Sequence, residues 1–312
     1  MSNQDVDCKL SSSAVCADSA PGVQKITARS AEIGGTLPVN RVLPTRQRRL
    51  IGAWCFLDHA GPAHFAAGEG MHVGAHPHTC LQTFTWMIEG EVLHRDSLGN
   101  EQIIRPSEVN LMTAGRGITH TEDSLASSDR LHAAQLWIAL PKALGDCAPD
   151  FAHYPELPRW HAQGTEHTLL VGCHAGQTSP VQVHSPLLAI DLASPQGGAL
   201  QLELNPQFEH GILLLEGELS IGTEVFSENQ LAYFGSGHEA LKLQMSPGCR
   251  AILLGGEPFA DEILMFWNFV GYSKPQIAQA WRDWQAGDPR FGRVPGHDGQ
   301  PLAAPALPWR TV

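Results

Sequence analysis

Gln82-Thr83-Phe84-Thr85-Trp86-Met87-Ile88 is a short run in which large apolar side chains recur at every second position, and Glu89-Gly90 ends it. That period is the signature of a half-buried strand. Working outward, similar runs follow at Glu91-Val92-Leu93-His94, Gln102-Ile103-Ile104-Arg105 and Val109-Asn110-Leu111-Met112. Turn-forming stretches, Asp96-Ser97-Leu98-Gly99-Asn100 and Thr113-Ala114-Gly115-Arg116-Gly117, separate them. Many short strands between Gly-rich turns predict an all-β sandwich or barrel. A second region of this kind runs from about Leu169 to Leu254, through Leu187–Leu192, Ala199–Leu204, Gly211–Leu215, Glu218–Ile221 and Ala251–Leu254. Ile88-Glu89-Gly90-Glu91-Val92 resembles Leu215-Glu216-Gly217-Glu218-Leu219, and Ser107-Glu108 with Leu111 resembles Ser227-Glu228 with Leu231. Both pairs occur in the same order, which predicts a duplicated β domain.

Composition agrees. The chain has 312 residues, 43% of them apolar and 17% charged, enough for one large or two ordinary cores. Lys+Arg is 20 and Asp+Glu is 32, a formal charge of −12, which argues against direct nucleic-acid binding. The seven cysteines are scattered with no CxxC pair, so neither a thiolate zinc site nor a thioredoxin-like motif is present. No apolar run reaches membrane-spanning length and the first twenty residues lack a signal-like core. A reducing, cytoplasmic setting without membrane contact is the expectation. Residues 1–22 read as a disordered tail, 23–145 as the first domain, 146–290 as a second domain ending in a helix, and 291–312 as a Pro/Gly-rich tail. The helix is marked by Ser273 as N-cap, Pro275 in the first turn, Ile277, Trp281 and Trp284 at helical spacing, and Gly287 as the stop.

Histidine is abundant, at 16 residues, and two patterns stand out: His76-Pro77-His78 and His120-Thr121-Glu122. Residues i and i+2 of a strand point to one face. If both pairs face one barrel interior, three imidazoles and a carboxylate converge. Burying an unpaired carboxylate costs several kcal/mol, and a divalent cation offsets that cost. Three nitrogens and one oxygen suit Fe(II), Mn, Ni, Co, Cu or Zn, with no thiolate to favour zinc. Spacing alone leaves an inert HxH open. In the second half, equal offsets from the repeated motifs give Glu203 and Asn205 for the histidine pair and Ala240 and Lys242 for the other, so the ligand set is missing there.

These residues resemble a known family. Gly70, separated by five residues from His76-Pro77-His78, is similar to the first motif of cupin barrels, and Arg105-Pro106 through Met112–Glu122 is similar to the second. The combination with Glu89-Gly90-Glu91, His94-Arg95-Asp96-Ser97-Leu98-Gly99 and Met112-Thr113-Ala114-Gly115-Arg116-Gly117-Ile118 resembles the pirins. Leu253–Pro258, Gln285-Ala286-Gly287 and Arg290-Phe291-Gly292 extend the likeness to the C-terminal half. The resemblance implies two cupin barrels packed as a bicupin, with a C-terminal α-helix and one metal per chain, usually iron, in the N-terminal barrel. By motif its ligands are His76, His78, His120 and Glu122. Many pirins carry Gly and Glu where this chain has Cys80 and Gln82. Gln82 removes a carboxylate from near the metal, and Cys80, sharing parity with His78, offers either a thiol toward the cavity or a buried filler. His94 and Asp96 are candidates to support the ligands or to end a hairpin, and Arg116 to steer an anion or brace its loop.

Two functions follow from this reading. In the first, the metal polarises the 3-hydroxyl of a flavonol, Glu122 accepts the proton as the catalytic base, and O2 opens the ring, as in quercetin 2,3-dioxygenase. In the second, the chain is a non-enzymatic iron- or redox-sensing protein whose acidic surface meets a protein partner. A structural bicupin with an empty site is the third possibility.

Overall fold

A computed structural model describes residues 9–13, 22–33, 37–66, 69–125 and 127–309. The strands form two barrels of matching design, each built from a seven-stranded and a four-stranded antiparallel sheet. In the first barrel the large sheet runs, in spatial order, Asp150–Tyr154, Val109–Thr113, Leu81–Glu89, Arg130–Ala139, Trp54–His64, Leu37–Leu43 and Arg29–Ile33. The small sheet runs His72–His78, Ile118–Ser124, Val92–Asp96 and Glu101–Ile104. The second barrel repeats the plan with Arg159–Ala162, Thr165–Val171, Leu187–Ser194, Cys249–Gly256, Glu209–Glu216, Gln230–Phe234 and Gln24–Thr27 against Gly198–Glu203, Ala240–Met245, Glu218–Ile221 and Glu224–Ser227. The duplication expected from the repeated motifs is thus a duplicated topology.

Two edge strands cross the domain limits expected from sequence. Gln24–Thr27 pairs with Gln230–Phe234 of the second barrel, and Asp150–Tyr154 pairs with Val109–Thr113 of the first. Each half lends the other its outermost strand, which covers an edge that would otherwise be open. Within the N-terminal segment, Ser11–Ser12 forms a short strand against Leu264–Phe266. Residues 1–8 and 14–21, Cys8 and Cys16 among them, lie outside the described residues. The described cysteines, Cys55, Cys80, Cys147, Cys173 and Cys249, are free thiols.

Alternation along Leu81–Glu89 explains how the barrels meet. Phe84, Trp86 and Ile88 join Trp54, Leu136, Leu213, Leu231 and Ile252 in the core between the barrels. Trp86 is therefore interface core, and its Nε1 donates to Asp191 Oδ1 at 3.2 Å. The two repeated glycines explain the repeated motif. Gly90 has φ 87° and Gly217 φ 81°, and a Cβ at Gly90 would lie 2.0 Å from the Arg130 carbonyl oxygen. Gly90→Ala is expected to cost more than about 1 kcal/mol, since both the positive φ and the contact oppose it. Urea unfolding checks this, and a variant as stable as the native protein contradicts it.

The helix spans Lys274–Ala286, with Ser273 as N-cap and Gly287 at φ 69° as C-cap. Ile277, Ala278 and Ala280 are buried, while the tryptophans hold the C-terminal segment: Trp281 Nε1 donates to Pro305 O and Trp284 Nε1 to Leu302 O. Leu302 N donates in turn to Ala75 O, so the Pro- and Gly-rich tail, expected to be irregular and partly docked, meets the strand that carries His76 and His78. Among the described residues no helix is long and apolar enough to cross a membrane.

Candidate metal centre

The small sheet of the first barrel builds the site. His120 lies opposite His76 on one neighbouring strand and opposite Asp96 on the other; Glu122 lies opposite His94. Residues paired this way share a face, as do i and i+2 along each strand. His76, His78, His120, Glu122, His94 and Asp96 therefore line one face, and each is at most 4% exposed. The Ile118–Ser124 strand carries a register shift between His120 and Glu122, which sets Glu122 opposite Val73.

His76, His78 and His120 each offer a ligand atom, and these atoms lie within 4.8 Å of one another. Three points so spaced share a centre within about 2.8 Å, against metal–nitrogen bonds of about 2.0–2.1 Å. Glu122 is buried beside them on the same strand but is not a member of that three-residue set. The hydrogen bonds test whether the group fits a metal. His76 Nδ1 bonds the Gly74 carbonyl at 2.8 Å and His78 Nδ1 the Asn268 carbonyl at 3.2 Å. A carbonyl only accepts, so each Nδ1 carries the proton and each Nε2 the lone pair. His120 Nδ1 bonds His94 Nδ1 at 3.3 Å. The Nε2 atoms of all three are buried without a hydrogen-bond partner. Buried polar atoms are almost always paired, so three orphans converging on one point fit a metal ion. Asn268 lies 190 residues from His78 in sequence, and no local pattern could have announced it.

Aromatic rings enclose the centre. Trp137 stands edge-on to His78 at 5.0 Å, and Phe151 stacks on His94 at 4.5 Å. Burial pushes the His76 imidazole down to about 3, and His78 and His120 well below the ordinary histidine value. The unfolded chain therefore takes up protons below about pH 6.5 while the folded chain does not. Stability of the metal-free protein should fall as the pH drops from about 6.5 toward about 4, with His76 alone contributing about 1 kcal/mol per pH unit. Urea midpoints measured across that range check this; a flat profile contradicts it.

Other sequence expectations shift. Cys80 follows the strand in a turn with φ 56°, so strand parity does not aim it at the metal. Its thiol receives Gln276 Nε2 at 3.4 Å, and burial pushes its pKa up to about 12, which makes it a packed filler rather than a ready thiolate. Gln82 Nε2 donates to Thr113 Oγ1 and to Gln182 O in the other half of the chain. Arg116 is exposed, and its carbonyl accepts from Arg290 Nη1. In the second barrel Glu203 pairs with Ala240 as His76 pairs with His120, but both face solvent. The inward positions are Leu200, Leu202, Leu241 and Leu243. That barrel is filled with leucine, a firmer reason for the missing ligand set than the sequence offsets.

Two barrels sharing one core, with a three-histidine centre in only one of them among the described residues, define a one-site bicupin. The Pirin family model matches residues 36–138, and that of the Pirin C-terminal cupin domain matches residues 189–292. A Pseudomonas aeruginosa protein named "Putative quercetin 2,3-dioxygenase" is 57% identical over 311 residues, covering 99% of each chain. A Pirin-like protein of Caulobacter vibrioides is 38% identical over 81% of this chain and 90% of its own length. The crystal structure of Quercetin 2,3-dioxygenase from Acinetobacter baumannii superposes with TM-score 0.90 at 46% identity, covering 93% of this chain and 97% of that one. The chain belongs to the pirin family.

Proposed function

We propose that this chain is a metal-dependent dioxygenase that opens the central ring of a flavonol of the quercetin type with O2. The observation that carries the reading is the convergence of three buried imidazoles, each with an Nε2 that has no hydrogen-bond partner. The names of the Pseudomonas and Acinetobacter relatives support the reaction class. His76, His78 and His120 would hold one divalent ion per chain, with Fe(II) the first candidate, and Glu122 would complete the set. When bound, the metal supplies a Lewis-acid centre with open positions. Glu122, at the next inward place along the strand, takes the proton released from the substrate's enolic hydroxyl onto its carboxylate. Trp137, stacked on Phe56, and Phe151, stacked on His94, keep water away from the reacting ring.

Oxygen uptake and carbon monoxide release with quercetin, measured on protein loaded in turn with Fe, Mn, Ni, Co and Cu, test the proposal. Glu122→Gln should retain protein-bound metal at the histidines and lower kcat by about 10²–10⁴-fold. No turnover with any of these metals contradicts the enzymatic reading and leaves the iron- or redox-sensing binding protein as its successor.

A further inference from the structure

His120 differs from its two fellow ligands in how its proton is placed. Gly74 and Asn268 hold His76 and His78 through main-chain carbonyls, which can only accept. His120 Nδ1 instead faces another imidazole nitrogen, Nδ1 of His94, at 3.3 Å. An imidazole nitrogen can donate or accept, so that contact does not by itself decide which ring carries the proton. The decision lies one step further out. His94 Nε2 is 3.1 Å from Asp96 Oδ2, and Asp96 is fully buried.

We propose that Asp96 and His94 are positioning residues which, as a fixed-polarity relay, keep the His120 lone pair on Nε2 and so keep the centre able to take a metal. Asp96 accepts from His94 Nε2, which puts the His94 proton there and leaves a lone pair on its Nδ1. That lone pair accepts the Nδ1 proton of His120, and Nε2 of His120 is left bare. This inference rests on the three-histidine centre and not on turnover.

Everything around Asp96 donates. Its Oδ1 accepts the backbone N–H groups of Leu98 at 2.9 Å and Asn100 at 3.1 Å, and Asn100 Nδ2 reaches both carboxylate oxygens. Burial opposes its ionisation, but the hydrogen bonds from His94 and Asn100 outweigh it and hold the carboxyl below its ordinary value. Phe151, stacked on His94 with 14° between planes, fixes the ring so that both its nitrogens stay aligned. His94 and Asp96 thus form one acceptor chain ending on a ligand, a longer version of the carboxylate–histidine–metal arrangement.

The polarity gives a test that separates this role from mere packing. Asp96→Asn keeps the shape and reverses the last link. The two backbone N–H groups hold the amide oxygen at the Oδ1 position, where Asn100 Nδ2 then donates to that oxygen alone, so its NH2 faces His94. His94 must then accept at Nε2 and donate from Nδ1, which drives the His120 proton onto Nε2. His94→Gln changes the shape but keeps the polarity, because its amide nitrogen can donate to Asp96 while its oxygen accepts from His120. Zn(II) affinity is measured by chelator competition on the native protein, Asp96→Asn, His94→Gln and His94→Leu. Nitrogen-15 shifts of the histidines are recorded on the metal-free forms.

Asp96→Asn should bind Zn(II) about 10–100-fold more weakly, with the His120 proton moved from Nδ1 to Nε2. His94→Gln should stay within about threefold of native, and His94→Leu should fall between them. A packing role predicts the opposite order, with the isosteric Asp96→Asn mild and His94→Gln severe. Asp96→Asn with native affinity and the His120 proton still on Nδ1 overturns the proposal. So does His94→Gln binding as weakly as His94→Leu, a comparison that stands even if Asp96→Asn does not fold. Failure of the dioxygenase reading would appear only as absent turnover and would leave these affinities and shifts unchanged.

Discussion

His78→Ala is expected to empty the metal centre. The native site brings three imidazole ligand atoms within 4.8 Å of one another, and the variant keeps two of those imidazoles. His78 sits opposite Ile118 and against the Trp137 ring, neither of which offers a lone pair to replace its own. Protein purified without added metal should carry about one ion per native chain and less than about a tenth of that in the variant. The loss should also appear as stability. A ligand present at about 100 times its dissociation constant stabilises the folded state by about 2.7 kcal/mol, which raises a melting midpoint by about 5–10 °C in a domain of ordinary size. Added metal should therefore shift the native midpoint and leave that of His78→Ala in place. A variant that still binds one ion with native affinity would show that the ligands lie elsewhere.

Asp58→Ala should be the most damaging substitution away from the ligands. Arg41 Nε and Nη2 meet the two Asp58 oxygens at 2.7 and 2.8 Å, with both residues at most 1% exposed. Removing the carboxylate takes this bidentate partner from a buried guanidinium, and such a loss costs about 3–5 kcal/mol. The position also supports the centre. The Arg41 guanidinium lies 4.5 Å over Phe56, Phe56 stacks on Trp137 at 4.1 Å, and Trp137 stands against His78. The exposed pair of Arg95 and Glu101 offers a contrast, since Glu101→Ala should cost under about 1 kcal/mol. Urea unfolding of the metal-free variants compares the two. An Asp58→Ala protein within about 1 kcal/mol of native would mean that the buried pair is replaceable.

The strands, the repeat, the helix and the histidine pairs were legible because each is written in local spacing. Period-two alternation located Leu81–Glu89, and Ser273, Pro275 and Gly287 bounded the helix closely. What local spacing cannot carry is the choice of face after a change in loop length. Offsets counted from Gly217 and from Ser227 reached Glu203 and Ala240, which do pair, yet a one-residue slip turns a strand over and the inward places belong to leucines. The same limit applies to Cys80, whose parity with His78 ends at a residue with positive φ. Contacts made across the chain were also out of reach. The Asn268 carbonyl that orients His78, the Gln182 carbonyl that accepts from Gln82 and the exchanged edge strands all depend on the assembled barrels.

Diffraction data collected on crystals of the purified protein at the absorption edge of its bound metal would test the account most directly. One anomalous peak, about 2.0–2.2 Å from Nε2 of His76, His78 and His120 together, is the predicted result. A peak at any other group of side chains, or bonds made through Nδ1, would contradict it.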